Sequence, residues 1–164
     1  MSKVVILMGS KSDLPFVERI VSALDGFGIA HEQRVASAHK SARRLLDLLA
    51  EYEDSGSVGA YITVAGRSNA LSGMADANVT APVIVCPPYS DKFGGADLYS
   101  SLRMPSGVAP AVVLEPSAAA LLAAKILGLG DAGLRQKVAA AQRAQAEKLL
   151  QADMEICKLG ETEN

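Results

Sequence analysis

Tryptophan is missing from this sequence, and aromatic residues make up only 4% of it. A fold that stacks a flavin, or a row of nucleic-acid bases, between aromatic rings has little to work with here. Cysteine occurs twice, at Cys86 and Cys157, which gives neither a disulfide framework nor a metal-ligand spacing. There is no basic run, and the formal net charge is −2. Nucleic-acid or membrane-surface binding is therefore not the expected business, and an anionic ligand has to find local donors instead of a global positive field. The richest apolar stretch, residues 118–127, is too short to span a bilayer and carries Lys125. Met1-Ser2-Lys3 runs straight into an apolar segment, so no signal peptide is expected. Walker A and Gly-x-Gly-x-x-Gly motifs are also lacking, which counts against ATP and dinucleotides. The expectation is a soluble, cytoplasmic protein with no membrane or nucleic-acid partner.

What is present is a 164-residue chain with 49% hydrophobic residues, enough for one domain with a proper core, spanning 1–164 with a frayed polar tail from residue 158. Residues 3–7, Lys-Val-Val-Ile-Leu, read as a buried parallel strand. Further strands are expected at 30–35, 59–64, 82–86 and 110–114. Helical spacing follows the first, in Leu14, Val17, Ile20, Val21 and Leu24, and the second, in Leu45, Leu46, Leu48, Leu49 and Tyr52. Short helices are expected near 74–78 and 97–103. Residues 118–127 form an apolar helix buried on more than one side, and 131–157 a last helix that reaches beyond the domain. Strands alternating with helices predict a parallel five-stranded sheet covered on both faces, with flavodoxin-like order. Ligands in such sheets bind at the carboxyl ends of the strands.

Those ends supply three turns rich in small and hydroxyl residues: 9–13, 37–40 and 66–73. Gly9, Ser10, Ser12 and Asp13 join a strand to a helix start; an anion site and a plain helix cap are equally supported by this turn alone. Of the two histidines, His31 at a strand start reads as structural, whereas His39 follows a strand between small neighbours. Histidine can both give and take a proton near neutral pH, and its place in the sheet favours that role over helix capping. Lys40 offers a point charge for a phosphate. Residues 66–73 hold no cysteine, histidine or acid, so they make neither a metal site nor a nucleophile–base pair. Ser68, Asn69 and the backbone there can donate hydrogen bonds, and Arg67 adds a cation. Cys86 reads as a buried hydrophobe and Asp97 as a helix N-cap.

Taken together, Met8-Gly9-Ser10-Lys11-Ser12-Asp13, Ser37-Ala38-His39-Lys40, the 66–73 loop, residues 99–107 and residues 120–127 resemble the aminoimidazole ribonucleotide carboxylase and mutase family of purine biosynthesis, over nearly the whole chain. The resemblance implies a three-layer α/β/α fold, a homo-octamer, and no metal, biotin, ATP or other cofactor. It implies that Ser10, Asp13 and Lys40 hold the ribonucleotide, that His39 is the catalytic proton carrier, and that Ser37 and the loop of Gly66, Ser68 and Asn69 shape the pocket. Mutases of the family typically read Ala-Gly-Gly-Ala-Ala-His-Leu-Pro-Gly-Met in the third loop. Here Ala65-Gly66-Arg67-Ser68-Asn69-Ala70-Leu71-Ser72-Gly73-Met74 places Ala70 where their histidine falls, and resembles the branch that carboxylates aminoimidazole ribonucleotide directly with CO2.

The chemistry asks little of the protein. The aminoimidazole C4 is enamine-like and can attack CO2, so the enzyme has to hold the two together, exclude water and take the C4 proton. Three other functions share some of these features. A mutase acting on the N5-carboxylated nucleotide is the alternative within the family. A flavodoxin-like FMN-binding electron carrier shares the sheet but wants aromatic residues. A phospho-receiver domain wants an acceptor aspartate where the third strand ends in Ala65-Gly66.

Overall fold

The computed structural model describes residues 2–161. The first strand, β1 (Lys3–Met8), sends Val4, Ile6 and Met8 to one face of the sheet and Val5 and Leu7 to the other. Both sets are buried, which is why the run is continuously apolar and not alternating. The other strands are β2 (His31–Val35), β3 (Val58–Val64), β4 (Val83–Val85) and β5 (Ala111–Val112). They form one five-stranded parallel sheet of order β2-β1-β3-β4-β5, the expected flavodoxin-like arrangement.

Helices cover both faces. On one side α1 (Leu14–Phe27), α5 (Pro116–Leu127) and α6 (Ala132–Glu161) pack Val17, Ile20, Leu24, Ala120, Ala124, Leu134 and Val138 over Val4, Ile6 and Ile62. On the other, α2 (Ala42–Ser55) and α3 (Ala70–Asp76) pack Leu45, Leu48, Leu49, Leu71 and Ala75 over Val5, Leu7 and Tyr61. This is the three-layer sandwich. The alanine face of α5 lets that helix lie close on the sheet. At Gly59 in β3 an added Cβ would overlap Leu127 Cδ2 and lie 2.8 Å from Ser2 Cβ, so close approach, and not a turn, requires glycine there. Left-handed glycines end α1 and α2, at Gly28 (φ 69°) and Gly56 (φ 56°).

Several boundaries differ from expectation. α3 starts at Ala70, not near 74, because Asn69 caps it. The 97–103 helix is a 3-10 segment, Lys92–Leu98, followed by the single turn α4 (Tyr99–Leu102). Asp97 sits inside that segment and is no N-cap; its carbonyl accepts the Ser100 hydroxyl at 2.7 Å. β5 is shorter than 110–114, since its partner β4 is only three residues long and is followed by prolines with no N–H to offer. α6 runs through Glu161, so residues 158–161 continue the helix where a frayed tail was expected; 162–164 lie outside the described residues. No helix among the described residues is long and apolar enough to cross a membrane.

Candidate active site

Parallel register brings the carboxyl ends of the strands together: Met8 is level with Val35 on one side and Val64 on the other. The turns leaving these ends therefore begin side by side. They enclose an open cavity of about 710 Å³. Gly9, Ser10, Ser12 and Asp13 line it from β1, and Ser37, Ala38, His39 and Lys40 from β2. Ala65 to Ser68, with Leu71 at the start of α3, line it from β3, and Pro88, Tyr89 and Ser90 from beyond β4. Tyr89 is the one aromatic residue in this lining.

The first turn is a 3-10 turn, Lys11–Asp13, capped at both ends of a reciprocal box. The Asp13 carboxylate accepts the Ser10 N–H at 3.1 Å, and Ser10 Oγ accepts the Ser12 N–H at 3.3 Å. Ser12 Oγ also donates to Ser10 Oγ, at 2.9 Å. With both lone pairs engaged, the Ser10 hydroxyl has its own proton left for a ligand. The Gly9 and Asp13 amides bond to Val64 and Ser10 carbonyls. So this helix start offers an anion few free backbone N–H groups, contrary to the outward-pointing amides that strand–turn–helix geometry predicts. Gly9 is not left-handed either, and a Cβ there would make ordinary contact with Ala65.

The second turn is tied the same way. Ser37 Oγ accepts the Lys40 N–H at 3.2 Å, and Ser41 Oγ accepts the Ser37 N–H at 2.9 Å while donating to the Ser37 carbonyl. Ser37 thus shapes the loop, leaving the exposed His39 and Lys40 side chains facing the cavity with no protein partner among the described residues. In the third turn, the N–H groups of Gly66, Arg67 and Ser68 make no hydrogen bond to other described residues and are available to a ligand.

Burial raises the Asp13 carboxyl above the ordinary carboxylate value, with the Ser10 N–H and the nearby Arg67 charge pulling the other way. That environment suits a carboxylate waiting for hydroxyl donors. Asn69 does not join the others. It is buried outside the cavity lining, its Oδ1 accepting the Ser72 N–H at 3.2 Å and its Nδ2 donating to Ser101 Oγ at 2.9 Å. The structure does not bring it into the cavity beside the other expected substrate contacts; it holds the third loop and starts α3. His31 lies away from the cavity, its Nδ1 3.1 Å from the Ile29 carbonyl, as a structural residue would. Cys86 is buried, and burial pushes its thiol up to about 12, which leaves it unreactive.

The AIR carboxylase family matches residues 3–148, nearly the whole chain and every turn of the cavity. The chain belongs to that family. Among its AIR carboxylase relatives is a phosphoribosylaminoimidazole carboxylase of Archaeoglobus fulgidus, 54% identical over 154 residues, covering 94% of this chain and 84% of the relative. Another, of the same description from Treponema denticola, is 50% identical and covers 93% of this chain and 96% of that one. A bifunctional phosphoribosylaminoimidazole carboxylase/phosphoribosylaminoimidazole succinocarboxamide synthetase of Rattus norvegicus is 43% identical over 94% of this chain, but over only 36% of its own length. The crystal structure of Treponema denticola PurE superposes with a TM-score of 0.92 at 50% identity, covering 94% of this chain and 98% of that one. The fold of the AIR carboxylase family is thus that of this chain, and the chain is an enzyme of the carboxy-lyase kind.

Ser12, Arg67 and the wall of Pro88, Tyr89 and Ser90 join the cavity lining beyond the residues expected to contact substrate. Ser12 was visible in the motif as a hydroxyl beside Ser10. The wall was signalled only by its position after a strand's carboxyl end.

Proposed function

We propose that this enzyme of purine biosynthesis carboxylates 5-aminoimidazole ribonucleotide at C4 with CO2, giving 4-carboxy-5-aminoimidazole ribonucleotide, without ATP or metal. It does so as a cytoplasmic homo-octamer. The observation that supports this reading best is the composition of the cavity: His39 is its one imidazole, and Ala70 opens α3 where a mutase carries a second. A mutase has to protonate N5 to release CO2 from the carbamate before returning it to C4. A direct carboxylase needs a single proton carrier.

In the proposed step the C4 electron pair forms the carbon–carbon bond to CO2, and one C=O π pair moves onto oxygen as the carboxylate. The proton left on C4 passes to the His39 imidazole and restores the aromatic ring. Ser10 and Lys40 hold the phosphate end, Asp13 accepts ribose hydroxyls, and Ser37, through its turn, sets the positions of His39 and Lys40. The N–H groups at Gly66 and Ser68 meet the developing carboxylate oxygens in this reading, which their lack of a protein partner among the described residues supports.

The test supplies each nucleotide separately. Aminoimidazole ribonucleotide with labelled CO2 is expected to give labelled product without ATP, and the N5-carboxylated nucleotide to turn over poorly when released CO2 is trapped. Efficient turnover of the N5-carboxylated nucleotide, with little label entering from CO2, makes the protein a mutase instead.

A further inference from the structure

Arg67 stands apart from the rest of the chain's backbone. It is the one residue other than glycine with positive φ among the described residues, at 58°. That is a conformation glycine enters freely and a side chain resists. The loop is tied in it through Ser100, whose hydroxyl accepts the Asn69 N–H at 3.0 Å and shares its one proton between the Asp97 carbonyl at 2.7 Å and the Arg67 carbonyl at 3.1 Å. Glycine would meet the backbone requirement at no steric cost, so the guanidinium calls for an explanation outside the backbone.

The side chain lines the cavity, is exposed, and has no carboxylate within salt-bridge distance among the described residues. The permanent charges of the lining are Lys40, Arg67 and Asp13. Without Arg67, Lys40 and Asp13 cancel, and the side-chain charges of the cavity, in a chain of net charge −2, would offer a phosphate dianion no net attraction. The backbone does not make up the difference at the first turn, where the capping box already holds the amides. Arg67 lies close enough to that turn for its charge to act on Asp13. A guanidinium presents two parallel N–H donors, which match two phosphate oxygens where a lysine gives a point charge.

We propose that Arg67 is a substrate-binding residue that grips the 5′-phosphate of the nucleotide across the cavity from Lys40, held there by its left-handed backbone. This rests on the reading of the cavity as a nucleotide site. The experiment compares wild type with Arg67→Ala, Arg67→Lys and Arg67→Gly, using aminoimidazole ribonucleotide, its 5′-dephosphorylated riboside and inorganic phosphate as probes. Arg67→Ala is expected to raise the nucleotide KM and the phosphate inhibition constant by roughly ten- to a hundredfold, the range of a lost charge-assisted hydrogen bond. kcat should fall far less, and riboside affinity should not follow. Arg67→Lys should recover part of the loss. Arg67→Gly removes the charge while relaxing the backbone, and should show the same phosphate loss at undiminished thermal stability.

Equal weakening of nucleotide and riboside overturns the proposal, as does a wild-type phosphate response in Arg67→Gly. A loss confined to the C4-carboxylated nucleotide also overturns it, placing the guanidinium at the carboxylate instead. If wild type binds neither nucleotide nor phosphate, the nucleotide reading itself falls and takes this one with it. Unchanged variants of a wild type that does bind them overturn the role of Arg67 alone.

Discussion

At the scale of single residues, His39 carries the proposed chemistry, and little around it competes for its proton. Ser37 and Ser41 are bonded to each other and to the loop backbone, so they fix where His39 sits without engaging its ring. His39→Asn keeps a polar side chain of similar reach but carries no proton at C4. Its carboxylation rate is expected to drop ~10²–10⁴-fold, the usual contribution of general acid–base catalysis, while calorimetry still registers nucleotide binding. Turnover near wild type would assign the proton to another group. A second residue-scale prediction concerns Glu32 on the edge strand. It accepts from Lys3 Nζ at 2.7 Å, Tyr52 Oη at 2.7 Å and Arg34 at 2.9 Å, and these bonds, that of Lys3 foremost, lower its carboxyl from 4.5 to about 2. A carboxyl lowered by folding stabilises the native state fully above its unfolded value. That contribution is lost as pH falls through the interval from 4.5 towards 2. The cluster is partly exposed, so solvent screening limits the effect to about 1 kcal/mol or less. Glu32→Gln should accordingly be less stable than wild type near pH 7 by urea titration, with the gap closing between pH 4.5 and 2. A gap independent of pH would mean that the lost packing and not the charge matters.

At the scale of elements, the site depends on how each helix begins. The first two turns fold back on themselves through serine and aspartate side chains. The third is held from outside, by α4, through Ser100 and Ser101. Asn69 is the joint: it caps α3 and bonds to α4 in one side chain. Asn69→Ala should therefore cost about 1–2 kcal/mol of stability, as lost caps do, in a chemical denaturation series. Its nucleotide KM should rise only through loosening of the loop, so a stabilising additive that restores the melting temperature should restore KM too. A raised KM at unaltered stability would return Asn69 to the list of substrate contacts. The strand–helix alternation, the apolar runs and the small-residue turns announced most of this arrangement. The identity of the capping residue did not follow, because Asn69 reads alike as a ligand donor or as a cap until α4, some thirty residues on in the chain, is folded against it.

For the molecule as a whole, α6 is longer than its own domain needs. Leu134 and Val138 near its start are buried against the core, whereas Leu149, Leu150, Met154 and Ile156 are 51–73% exposed. Leu129, before the helix, is 79% exposed. Apolar surface of this kind, on an ordered helix, is stabilised when another chain covers it. Light scattering of the purified protein should give a homo-oligomer, with eight copies as the expected size, and Leu150→Glu should reduce it. A monomer at working concentration in the wild type would contradict the assembly and leave the end of α6 without a physical account.

The sequence by itself determined the layers of this protein. A buried parallel strand has to be apolar on both faces and its helices on one, and those two periods can be read along the chain without knowing any contact. It also determined that the hydroxyl-rich turns stand at strand ends, since parallel connection leaves only one edge of the sheet for them. Tertiary structure decided which donors in those turns remain free. The Ser10–Asp13 box closes the first turn's amides, Asn69 turns inward to Ser101, and Arg67 is clamped by Ser100 into a conformation that its residue type alone would argue against. These outcomes depend on hydrogen bonds between segments far apart in the chain, or on a competition between a side chain's local and distant partners. Neither has a period or a spacing that a linear reading can detect.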